Sequence, residues 1–407
     1  MLQNKIKISS IKNNFMLFIA FTLPLNKNLL PLMIVITLLL WLFEGDFNAK
    51  IQNIKTPLFF LIISFYVLHL FGLLYTANTK AGSFDLEQKL SLLVFPILIF
   101  SNPQISSELY RRILKSFVLG CALAGLICLV NAVYKYYLSG NSDSFFYAQF
   151  SVIMHASYFA MYVCFSFIIL LFCKDIFQDT PLKWLLLVFF VLLVILSSSK
   201  SGAFALLMII IAKAYYDLII LKKLKQTILL VSILIITVIA ISQIFPKAVI
   251  RLTQLKETMS SSNSEFNTTS SRIAVWKHGL QLISENFIFG VGTGDVKDAL
   301  KSTYDKQIES QLVEKQLNAH NQYLQSFIAL GLPGFIGLIS ILGLAFLTTV
   351  KNNFIEGAFF IILVSFNMLF ESMFETQAGV IFIAFFLSVY GSMAGKIIIT
   401  KNVNIAP

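Results

Sequence analysis

Apolar runs separated by short polar turns recur along almost the whole chain. A membrane-spanning helix needs about 20 predominantly apolar residues, within a range of roughly 17–25. Runs near that length fall at 13–26, 29–43, 57–75, 88–101, 112–138, 150–173, 182–198, 200–220, 226–245, 331–350, 354–371 and 377–396. The pattern predicts an all-α, polytopic integral membrane protein of about 12 transmembrane helices, the first, second and fourth being short. The strict alternation of a membrane β-barrel is absent. One interruption stands apart, the polar stretch between runs nine and ten. It divides the chain into residues 1–245 with helices 1–9, a large loop over 246–330, and 331–407 with helices 10–12 and a tail.

The loop has its own pattern. Thr258–Ser271 is rich in Ser, Asn and Thr and reads as mobile. From Arg272 to Ile288 the apolar residues Ile273, Trp276, Leu280, Ile283 and Phe287 recur at helical spacing, which predicts an amphipathic helix on the membrane surface. Gly290-Val-Gly-Thr-Gly-Asp295 ends it, and a second polar helix is predicted over Val296–Gln316. The loop closes with Asn318-Ala-His-Asn-Gln-Tyr-Leu-Gln325, just ahead of the next apolar helix.

Composition agrees with the membrane reading. Of 407 residues 57% are hydrophobic and 13% charged, against about 25% charged in soluble domains. The net charge of +11 does not indicate nucleic acid, because most cations sit in short loops, where they orient a membrane protein. Loops on the N-terminal side carry Lys50, Lys55, Arg111, Arg112, Lys115, Lys174, Lys183, Lys222, Lys223, Lys225 and Lys351, while the short loops opposite hold only Lys27, Lys80, Lys89 and Lys200. This bias predicts cytoplasmic termini and an outward-facing 246–330 loop. Lys5, Lys7 and Lys12 before an apolar run resemble a signal peptide, but no small-x-small site follows and the next run begins near Leu29, so the segment reads as a retained span. Cys121, Cys128, Cys164 and Cys173 lie in or at the ends of apolar runs without a CxxC pair, and read as core packing.

Candidate chemistry concentrates at the outer side. His320 lies at the membrane–water boundary, beside Asn321; an imidazole titrates near pH ~6.5 and, kept neutral, can accept a proton. Arg272 and Lys200, the latter in Ser197-Ser-Ser-Lys-Ser-Gly202, are outward cations suited to a diphosphate, arginine by its fixed fork and lysine as a point charge. Glu371 and Glu375 at the outer end of helix 11 are placed to pair with them or to orient the histidine. His155, in Met154-His-Ala-Ser-Tyr158, either lines the same cavity or packs in the core. Gly290-Val-Gly-Thr-Gly294 has GxGxG spacing and no preceding strand, so it reads as a tight turn rather than a dinucleotide loop. The sequence alone does not show what His69 and His278 pair with. No His/Asp/Glu group has metal-ligand spacing and no Ser-His-Asp order is arguable, so no metal, cofactor or covalent nucleophile is expected.

Taken together, the Ser-Ser-Ser-Lys-Ser-Gly turn, the Arg272…Trp276…Gly-Val-Gly-Thr-Gly-Asp295 stretch and the Ala-His-Asn-Gln-Tyr-Leu block resemble the O-antigen ligase superfamily, which also contains O-antigen polymerases. Phe374-Glu-Thr-Gln-Ala-Gly379 is similar to the family's late helix, so the likeness runs from Leu182 to Gly379 by motif. The resemblance implies an inner-membrane glycosyltransferase with a periplasmic loop and active site. It would move a glycan from undecaprenyl diphosphate to lipid A–core oligosaccharide, without metal and with inversion. Its partners are then the lipid-linked donor, the lipid A–core acceptor and membrane lipids. Carried over by motif, Arg272 binds the diphosphate and His320 is the base or acceptor-orienting residue. Lys200 stands where the family usually has arginine, and Phe287 where many members have proline. A polymerase of the same superfamily is the alternative; a transporter or flippase would favour charges buried mid-span, Gly/Pro-broken helices and repeated halves, whereas no repeat is evident and the long loop has no obvious transport role.

Overall fold

A computed structural model of the protein describes residues 2–225 apart from 27, 103–104 and 178–179, scattered positions between 227 and 243, and residues 268–306 and 318–403. Every regular element among them is helical: α1 Leu2–Thr22, α2 Leu30–Glu44, α3 Phe47–Asn53, α4 Pro57–Leu73, α5 Thr79–Lys89, α6 Ser91–Phe100, α7 Ser107–Ser139, α8 Tyr147–Phe150, α9 Ala156–Phe172, α10 Lys174–Phe177, α11 Pro181–Leu196, α12 Lys200–Tyr215, α13 Thr268–Glu285, α14 Val296–Lys306, α15 Gln322–Lys351, α16 Ile355–Met368 and α17 Gln377–Val403, with short 3₁₀ turns. Ser107–Ser139, Lys200–Ile220 and Gln322–Lys351 are long and apolar enough to cross a membrane, and five further apolar helices have 10–17 residues. The expected ninth span and the expected mobile stretch at 258–271 fall largely outside the described residues.

Contacts divide the chain into two compact units, residues 1–45 with 106–255 and residues 46–105 with 256–407. In the first, α9 packs against α7, α11 and α12. Every residue of α9 from Ala156 to Leu171 is buried, the outcome for a helix apolar all round. Cys121 and Cys128 on α7 and Cys164 on α9 lie in this core, while Cys173 is half-buried.

In the second unit α4 packs on α6 and α15, α6 on α17, and α13 on α15. The predicted amphipathic helix forms, but its inward face differs from the expected row. Val275, His278, Leu282 and Ile283 are buried, whereas Ile273 and Leu280 point outward. The helix ends at Glu285, and Phe287 beyond it packs its ring on Phe327. Helix ten begins at Gln322 rather than at 331, because a break hides inside it: Gly331 has φ 64° and ψ −155°.

The break explains the glycine-rich turn. Pro333 has no N–H to donate to Ala329, and Leu332 N donates instead to Phe287 O at 2.9 Å. The freed carbonyls of Ile328 and Ala329 accept from Val291 N at 2.8 Å and Gly292 N at 3.0 Å, so the buried backbone stays paired. A Cβ on Gly290, itself at φ 72°, would stand 2.5 Å from both Ala329 C and Gly331 N. The turn is tight, as expected, because it splices into a broken helix. Its last residue, Asp295, accepts the N–H groups of Ala77 and Asn78, each at 2.7 Å, and so fixes the turn that leads into α5. Asp295→Ala should lower stability by about 1–3 kcal/mol, since backbone donors lose a charged acceptor that water replaces only in part. Thermal unfolding in detergent measures this, with Asp295→Asn intermediate; an unchanged midpoint for both would deny the anchor.

Candidate functional site

His320 owes its position to its neighbours. The loop carbonyl of Ala319 accepts from Trp276 Nε1 on α13 at 3.0 Å, and Ala319 N donates to Gln325 Oε1 at 3.2 Å. His320 N donates to Asn318 Oδ1 at 3.0 Å, and the residue sits at φ 44°. A side chain other than glycine, asparagine or aspartate seldom adopts that left-handed conformation. Asn321 caps α15, its Oδ1 accepting from Tyr323 N at 2.9 Å and Leu324 N at 3.1 Å. The histidine therefore projects from a loop stapled on both sides.

Arg272, His320 and Glu371 come together. Arg272 Nη2 donates to Glu371 Oε1 at 2.9 Å, and His320 Nδ1 lies 3.5 Å from Glu371 Oε2. The Glu371 side chain is 7% exposed, whereas those of Arg272 and His320 are each 27% exposed. One inner carboxylate thus holds two outer groups at the edge of solvent. Glu371 N bonds Asn367 O at the end of α16, and Tyr323 OH on α15 donates to Ser365 O at 2.9 Å, tying the supporting helices together.

Glu375 has different company. Its Oε1 accepts from Lys89 Nζ at 2.9 Å, and the same ammonium donates to Asp85. Burial, and then the neighbouring Asp85, push the Glu375 carboxyl above the usual carboxylate range, against the pull of Lys89. Lys89 is accordingly an interior ion at the end of α5 rather than a free loop charge, which corrects its use as an orientation marker. Asp85 and Lys89 share a helix face at i,i+4 spacing, the one trace of this cluster in the sequence.

Lys200 and His155 belong to the first unit. Lys200 is exposed in the first turn of α12, capped by Ser199 through Gly202 N and preceded by Ser198 at φ 50°. A cation there opposes the helix dipole, and an anion at that end is welcome. His155 caps α9 through Ser157 N at 3.4 Å, its ring between Tyr147 and Tyr158.

Residues 185–339 match the model of the family described as O-Antigen ligase. A stretch of 94 residues is 35% identical to an uncharacterized protein of Haemophilus influenzae (strain ATCC 51907 / DSM 11121 / KW20 / Rd), covering 22% of this chain and 23% of the relative. The matched part is thus about a quarter of that relative's length. The matched family region contains Lys200, Arg272 and His320, and Glu371 lies beyond it. The family match and the apolar helices agree with a multi-pass membrane protein. The resemblance read from the motifs is matched by the family model: residues 185–339 of this chain are similar to the O-antigen ligase family.

Proposed function

We propose that the protein is an O-antigen ligase, transferring a glycan from undecaprenyl diphosphate to lipid A–core oligosaccharide at the periplasmic face of the inner membrane. The observation that carries the reading is the sharing of Glu371 by Arg272 at 2.9 Å and His320 at 3.5 Å. Arg272 has further N–H donors beyond the one given to Glu371, and these are available to diphosphate oxygens. With a hydrogen on Nδ1 facing the carboxylate, His320 keeps Nε2 as an acceptor, the orientation that a general base needs.

In the reaction the acceptor hydroxyl oxygen attacks the anomeric carbon opposite the diphosphate. A new C–O bond forms, the old C–O bond to phosphate breaks, and its electron pair leaves with the lipid diphosphate. The hydroxyl proton passes to His320, and the Arg272 guanidinium offsets the charge growing on the leaving group. Lys200 is a further cation whose charge suits an anionic donor. Inversion follows from attack opposite the leaving group.

A polymerase of the same superfamily would use the same donor chemistry. The lipopolysaccharide gel pattern of a deletion strain separates the two. A ligase deletion removes every capped species while lipid-linked glycan accumulates. Core bearing a single repeat would instead make the enzyme a polymerase, and an unchanged pattern would overturn both.

A further inference from the structure

We propose that Lys89, set by Asp85, is the positioning group of the candidate site: its ammonium pins the turn after α16 that carries Glu371, and so keeps Arg272 and His320 on one carboxylate. The inference rests on the proposed function for its catalytic consequence, but its structural part stands independently.

The turn between α16 and α17 is short and runs through Glu371, Ser372 and the 3₁₀ segment Met373–Glu375. Glu371 at its start serves the site, and Glu375 at its end serves Lys89. The Lys89 side chain is 1% exposed, with Asp85 and Glu375 at 10% and 14%. Two carboxylates so placed repel one another, and the ammonium between them offsets that repulsion and draws both to one point. Other contacts hold the same segment: Phe374 N donates to Gln322 Oε1 at 2.7 Å, and the Phe374 ring packs on Phe65. Gln322 is two residues from His320, so one end of the turn fixes the loop and the other end fixes its carboxylate.

The mount for Lys89 is firm. Asn78 caps α5 through Ala81 N, and Asp295 holds the two residues at the entry to that helix. A buried ion cluster is weak evidence for stability, since well-packed apolar residues often do as well. Its better-attested use is to select one geometry among several, and the geometry selected here is that of the 371–375 turn.

Trp276 supplies a local reporter. It lies one turn from Arg272, and its Nε1 bonds the carbonyl preceding His320. With Trp41→Phe and Trp184→Phe it becomes the sole tryptophan. In that background Lys89→Met should change Trp276 emission and its access to a neutral quencher. It should also lower kcat at least about tenfold, with the donor KM nearly unchanged. A merely structural cluster would lower folded yield without that split. Should Lys89→Met not fold, the neutral set Lys89→Met, Asp85→Asn and Glu375→Gln removes the buried charge and still lacks the ammonium; it should show the same emission change and the same loss in kcat. A native Trp276 signal with full kcat in either variant overturns the proposal. A changed Trp276 signal with full kcat supports the pin but removes Arg272 and His320 from the reacting centre, which defeats the functional reading instead.

Discussion

Arg272→Ala is expected to abolish transfer from a purified lipid-linked donor, and to weaken the fold at the same time. The side chain is the arm that carries charge toward the diphosphate, and no group one turn away on α13 replaces it: the residue at that spacing is Trp276. Read from sequence alone, an exposed arginine is worth less than about 1 kcal/mol to stability. The structure changes that expectation. Its partner Glu371 is 7% exposed, so the variant takes a close cation away from a buried carboxylate. Breaking a fully buried pair costs about 3–5 kcal/mol, and the partial exposure of Arg272 makes the loss smaller. Arg272→Ala combined with Glu371→Gln separates the two effects, because a neutral amide needs no counter-ion. The double variant should regain thermal stability and still fail to transfer. Wild-type transfer by either variant would take Arg272 out of the site. At Lys200 charge matters more than shape: Lys200→Ala should impair transfer and Lys200→Arg should retain it.

His320→Ala should cut the transfer rate at least about tenfold with donor binding nearly intact, since the diphosphate contacts belong to other residues. The backbone at φ 44° complicates this variant, because alanine is no more at ease there than histidine. Asparagine tolerates that conformation, so His320→Asn keeps the loop and removes the base. Both variants should lose rate equally if the imidazole does the chemistry. If only His320→Ala is impaired, the loop conformation matters and the ring does not. Loss of donor binding in His320→Asn would make the residue a phosphate ligand.

Helix boundaries were legible wherever a run was long and uniformly apolar. The expected spans at 57–75, 182–198 and 377–396 correspond to α4, α11 and α17 within a few residues at their starts. The start of helix ten was not legible. The expected span began at 331, yet Gln322–Leu330 is helical too, and the carbonyls freed at the Gly331 break are capped by the glycine-rich turn. The inward face of α13 was misjudged for a related reason. Ile273, Leu280 and Phe287 share the spacing of a buried row, and only packing against α14 and α15 selects Val275, His278 and Leu282 instead.

By itself the sequence determined the all-helical membrane character, the tight turn at Gly290–Gly294 and the nomination of Arg272, His320 and Glu371. Each rests on local pattern: apolar run length, glycine spacing, or a polar residue where the pattern calls for none. Only the tertiary structure decided which carboxylate serves which cation. Glu371 and Glu375 are equivalent in sequence, both acidic residues at the outer end of one helix. Yet Glu371 meets Arg272 across 99 residues of chain and His320 across 51, while Glu375 meets Lys89 across 286. Periodicity within one helix carries no information about partners so distant. The choice falls to the direction in which the short 3₁₀ turn presents each side chain, and to which cation the surrounding helices bring within reach.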